Sequence, residues 1–144
     1  MTIATQIALL EAVYQRLGSD PDIVQIVGNR ISNVPPYRQA ELIFPQITFN
    51  ITGSNDASTF DQYGNSHTIQ IDVWSRQQST LEARQLHDLI FRSMVGDHPG
   101  FIGLPALTHG RLYLLRFIDS SVYPDPDGIT THGVLLFRAF TEEI

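Results

Sequence analysis

Cysteine is absent from this 144-residue chain, and so is lysine: all nine basic residues are arginine. Without thiols there is no disulfide framework, no thiolate nucleophile and no cysteine-ligated zinc. Long apolar runs are missing too, since none approaches the roughly 20 residues that a membrane-crossing helix needs. The opening Met1-Thr2-Ile3-Ala4-Thr5-Gln6 has neither the basic start nor the small-residue cleavage site of a secretory signal, so folding in a cytosol with no membrane partner is expected. Positive charge is scarce. A net charge of −6 argues against a general nucleic-acid binder, which needs a basic face for phosphates. The exclusive use of arginine fits genomic base composition, and it also fits planar, bidentate pairing at interfaces.

What is present suits one compact α+β domain over residues 1–144. An apolar fraction of 42% with 17% charged residues is ordinary for a globular chain. Ile3, Ile7, Leu10, Tyr14 and Leu17 recur at helical spacing and predict an N-terminal helix that buries that face, stopped at Gly18. Asp20-Pro21 predicts a cap and a short helix to Val27, and Ile31 to Arg38, with Pro35-Pro36, reads as a connector. Ile47, Phe49 and Ile51 alternate with polar residues in 44–52, and Ile69, Ile71 and Val73 do so in 67–75, the pattern of antiparallel strands with one buried face. Between them, Gly53 to Ser66 reads as a long polar loop. Ser79-Thr80-Leu81-Glu82 has the spacing of a capping box ahead of a second long helix. That helix buries Ala83, Leu86, Ile90 and Met94, pairs Arg84 with Asp88, and ends at Gly96. After a loop over 97–110, two strands over about 111–122 and 129–140 flank the turn Pro124-Asp125-Pro126-Asp127-Gly128. Leu112 to Leu115 and Val134 to Phe137 are apolar at consecutive positions, which predicts cover on both faces, by the helices on one and by loops or another subunit on the other. The expected architecture is a small, mainly antiparallel four-stranded sheet with two main helices on one face and a long loop between the first two strands.

No catalytic or metal-binding constellation emerges, and no cofactor is expected. His67, His87, His98, His109 and His132 lack ligand spacing, although His67 and His132 could meet across the sheet. The Asp125 turn fails as a calcium loop, with Thr130 and Leu136 where glycine and glutamate belong. Phosphate-cradling glycine loops and serine nucleophile elbows are missing. A small enzyme or ligand-binding domain would need a deep pocket lined by residues such as Asp97, His98 and His109. The residues left for partner binding are Asp72 and Trp74, which share the strand parity opposite the core, and Phe60, Asp61 and Tyr63 in the polar loop. Asp72 could pair with a neighbouring chain's arginine or with water. Trp74 could be covered by its own chain or by a partner, because large aromatics favour interface centres.

The order of these elements, with Val27-Gly28-Asn29-Arg30-Ile31, Phe44-Pro45-Gln46-Ile47-Thr48-Phe49 and above all Ile69-Gln70-Ile71-Asp72-Val73-Trp74-Ser75 before the second long helix, resembles the tail-completion family. These are the tail-terminator or tail-to-head joining proteins of long-tailed phages and of phage-derived particles such as gene transfer agents. The resemblance spans residues 5 to 140 and implies a structural virion protein, not an enzyme, assembled in the host cytoplasm. It further implies a homo-oligomeric ring, typically a hexamer, at the head-proximal end of the tail. Such a ring would stop tube growth and contact the tail tube protein and the head connector or stopper, while DNA passes through its lumen without specific binding. A different head–tail adaptor or a tube subunit is the alternative of the same kind.

Overall fold

The structure is a computed structural model that describes residues 2–96, 98 and 100–143. Five strands form one mixed sheet in the order β1-β2-β3-β5-β4, with β1 at Ile31–Ser32, β2 at Gln46–Asp56, β3 at Gly64–Ser75, β4 at Arg111–Pro124 and β5 at Thr131–Glu142. Helices α1 (Thr2–Ser19), α2 (Pro21–Val27) and α3 (Leu81–Val95) pack on one face. β3 and β5 pair antiparallel over their full length, from Gly64 opposite Glu142 to Ser75 opposite Thr131, and make the centre of the sheet.

Strand parity holds as the alternation predicts. Ile47, Phe49, Ile69, Ile71, Val73, Leu135, Phe137 and Ala139 are buried against the helices. Together with Leu86, Ile90 and Met94 of α3 they form one continuous apolar cluster. Among the described residues no helix lies on the opposite face. There the alternate residues of β3 and β5, including Asp72, Trp74, Val134 and Leu136, are only half-buried, so among the described residues the chain's own helices cover one face and leave the other open.

Several expectations are corrected. The sheet has five strands, because Ile31–Ser32 pairs parallel with Ile47–Thr48; two residues are too few to show any periodicity. The long loop shrinks to residues 57–63. Gly53 to Asp56 and Gly64 to Ser66 continue the β2–β3 ladder past a bulge at Ile51/Gly53, since backbone pairing is indifferent to their polar side chains. Helix α1 is rotated from its expected setting: Thr5, Ala8, Leu9, Ala12, Val13 and Leu17 face the core, while Ile3, Ile7 and Tyr14 are exposed. Both stripes satisfy a 3.6-residue period, and the close approach to the sheet selects the one rich in alanine. The capping box does not close, for Thr80 makes no side-chain cap and Glu82 instead accepts from Ser75 Oγ at 2.7 Å. Leu81 N–H donates to Ser79 Oγ and Glu82 N–H to Gln77 Oε1. The ion pair on α3 is Asp88–Arg92 (3.3 Å), not Arg84–Asp88.

Turns and caps otherwise follow the residue chemistry. Asp20 caps α2 by accepting from the N–H groups of Asp22 and Ile23. In the β4–β5 turn, Asp127 accepts from the Thr130 hydroxyl (2.5 Å) and from the Ile129 and Thr130 N–H groups, and these bonds hold its carboxyl below the usual range. Gly103 docks the loop after α3 onto the helix through Gly103 N–H to Met94 O (2.8 Å), so closely that a Cβ there would lie 1.8 Å from Ser93 O.

Candidate assembly surfaces

The described residues include no cluster of acidic or histidine side chains able to hold a metal ion. The histidines are dispersed. His67 is fully buried on the helix-facing side, where Nδ1 meets Ser54 Oγ at 2.6 Å and Nε2 meets Thr141 Oγ1 at 2.9 Å. His132 lies on the other face, so the two do not meet. His87 on α3 contacts Ser120 Oγ through Nδ1 (2.9 Å), and its buried Nε2 lies against Gly133 without a well-formed hydrogen bond. Burial, reinforced by Arg84, lowers the His87 pKa to about 4, and burial lowers that of His67 as well. His109 pairs with Glu143 at 2.8 Å. His98 borders a groove of mostly apolar lining with Phe91, Val95 and Phe101, while Asp97 lies outside the described residues.

The sheet's uncovered face holds the first surface. Trp74 stacks on His132 with ring centroids 3.8 Å apart and donates through Nε1 to Thr48 Oγ1 at 3.0 Å. Tyr123 meets the same imidazole edge-on at 5.0 Å. Asp72 accepts from His132 Nε2 at 2.8 Å and from Gln70 Nε2 at 3.0 Å. The carboxylate is thus partnered within its own chain, where water or a neighbouring arginine was expected. Trp74 is neither free nor covered by a helix; it is held between Thr48 and His132 of the neighbouring strands. The result is a rigid aromatic and polar plate built from β2, β3, β5 and β4.

The second surface is the tip of the β2–β3 hairpin. Thr59 N–H donates to Gln62 O and Thr59 Oγ1 to Asp61 Oδ1, closing the tip on itself. Gln62 Nε2 also donates to the Glu143 carbonyl, which ties the tip to the end of β5. Phe60 is fully exposed (106%) and Tyr63 is 66% exposed, so two aromatic rings stand in solvent on a braced turn. The third surface was not legible in the sequence: the α1 stripe of Ile3, Ile7 and Tyr14, 71%, 53% and 53% exposed. The fourth is the outer edge of β4, where Tyr113, Phe117 and Ile118 remain exposed. The structure brings Asp72 together with Trp74, and Phe60 together with Asp61 and Tyr63, but on separate surfaces.

Comparison with known proteins gives these surfaces a context. The family described as "Tail completion protein gp17" matches residues 11–142. A chain from the virion of the native gene transfer agent particle superposes with a TM-score of 0.80 at 25% identity, covering 93% of this chain and 94% of that one. The gp17 protein of bacteriophage SPP1 shares the fold, with a TM-score of 0.56 at 20% identity, covering 94% and 89%. No curated protein sequence matches the chain.

Proposed function

Because the chain belongs to the tail completion protein gp17 family, and is therefore a structural component of a phage-type or gene-transfer-agent tail and not an enzyme, we propose that it acts as a ring-forming subunit which ends the tail tube and joins it to the head connector. One observation carries this reading. A chain with a filled core leaves large apolar side chains unburied on α1, at the hairpin tip and along β4. Apolar patches of this kind mark interaction sites. They lie on different elements, as a heterologous contact requires, and heterologous contacts generate a ring when the rotation between copies closes.

In this reading the chain works as a single domain. Six copies is the number the family resemblance implies, and the hairpin tip with Phe60, Asp61 and Tyr63 meets the tube or the connector. The Trp74–Asp72 plate offers a second, flatter contact. The net charge of −6 suits a conduit for DNA, because an acidic wall repels passing phosphates. Light scattering of the purified protein, with electron imaging of tails that carry it, tests the proposal. The expected result is a species six times the 16.2 kDa subunit and a ring at the head-proximal end. A chain that stays monomeric at high concentration and leaves tails undecorated overturns it.

A further inference from the structure

The two edges of the sheet are unfinished in complementary ways. β4 is the last strand on one side, paired only with β5 along its 14 residues. On the other side, β1 covers just Ile47 and Thr48 of β2, and Asn33 Nδ2 donates to Phe49 O. From Ile51 to Asp56, β2 pairs with β3 alone among the described residues. Long open edges invite another strand, and monomeric proteins blunt them.

The level of these open stretches matches. Following the registers across the sheet, Leu114 stands opposite Phe140, Phe140 opposite Ser66 and Ser66 opposite Asn55. The first half of β4 and the open part of β2 therefore sit at the same height on opposite sides. β4 runs antiparallel to β2 in the sheet, so a neighbour's β2 laid beside β4 continues the antiparallel order.

Arg116 stands directly opposite Arg138, two exposed like charges with no ion-pair partner among the described residues, an arrangement that is unfavourable in an isolated subunit. Apolar side chains flank both edges on the helix side. α1 lies over β2, with Gln6 Nε2 donating to Ser54 Oγ at 2.8 Å, and exposes Ile3, Ile7 and Tyr14 there. Phe91 of α3 packs edge-on against Phe117 of β4, beside exposed Ile118.

We propose that the occupant of each edge is a second copy of this chain: β4 of one subunit adds to the Ile51–Asp56 stretch of β2 in the next, with Leu114 level with the neighbour's Asn55. This rests on the ring reading above and names its interface. Repeated around the ring, the contact joins the sheets of all copies and sets the α1 stripe of each against the α3–β4 side of its neighbour.

The absence of cysteine makes the test direct. Asn55→Cys and Tyr113→Cys, both at exposed positions, are prepared as separate variants, and a short bismaleimide is added to assembled material. A mixture of the two variants gives covalent dimers, and neither alone gives any. The variant carrying both gives a ladder ending at the closed ring. An assembly of normal size without cross-links in the mixture, or with cross-links in a single variant, overturns the edge pairing and leaves the ring reading standing. A chain that is monomeric in solution and on tails overturns both.

Discussion

His87 sits where α3 meets the β5–β4 half of the sheet, and its neighbourhood decides its protonation. Gly133 lies beneath the ring so closely that a Cβ would come within 2.3 Å of Nε2, leaving no room for water to solvate an imidazolium. Burial is the largest cause of the shift from 6.5 to about 4, with Arg84 next. A group whose folded pKa is depressed binds fewer protons folded than unfolded in the interval between the two values. The stability it contributes is complete above pH 6.5 and lost as pH falls toward 4. His67, buried between Ser54 and Thr141, is shifted in the same direction by its burial. The melting temperature of the subunit is therefore expected to fall between pH 6.5 and 4, and His87→Gln should flatten part of that slope. An unchanged slope in the variant would show that His87 does not carry it. Gly103 gives a residue-scale prediction free of charge. Its missing Cβ would strike the Ser93 carbonyl, a backbone atom that cannot step aside. Gly103→Ala should cost about 1–3 kcal/mol in denaturant unfolding. A variant of wild-type stability would mean that the loop does not dock on α3 as described.

At the scale of elements, what the sequence made legible was whatever rests on burial with a short, strict period. The alternation in Gln46–Ile51 and Ile69–Ser75 gave the strand faces correctly, and Ala83, Leu86, Ile90 and Met94 gave the buried stripe of α3. What escaped was set by backbone pairing or by tertiary choice. β1 has two residues, and the polar extensions of the β2–β3 hairpin are held by ladder bonds that no side-chain pattern announces. In α1 two stripes compete, and only the sheet's preference for Thr5, Ala8, Ala12 and Val13 over the larger Ile3, Ile7 and Tyr14 decides between them. The candidate surface was half legible for the same reason. Trp74 and Asp72 were placed on the correct face by parity, but their ties to His132 and Thr48 depend on a register with β5 and β2 that sequence does not encode locally. This parity carries its own prediction. Ile71 is fully buried, so Ile71→Asp places an unpaired charge in the core and should abolish folding, while Asp72→Asn one residue away should leave the fold intact. Circular dichroism of the two variants separates them, and a folded Ile71→Asp protein would contradict the strand face assigned here.

At the scale of the whole molecule, the core and the surfaces proposed for assembly draw on different residues. The core cluster involves neither the hairpin tip nor the exposed face of α1. Phe60 contributes nothing to the interior: its ring is fully exposed, and the tip it stands on is closed by Thr59, Asp61 and Gln62. Replacing an exposed aromatic in a loop of this kind changes folding stability by less than about 0.5 kcal/mol. The same ring at the centre of a contact with another protein would be worth about 2 kcal/mol or more, because aromatic anchors dominate such interfaces. Phe60→Ser with Tyr63→Ser is therefore expected to leave the melting curve in place while lowering the yield of heads joined to tails. Counting joined and unjoined particles by electron microscopy, with soluble protein level as the control, measures the two effects separately. A normal joining yield would remove the hairpin tip from the proposed head–tail contact.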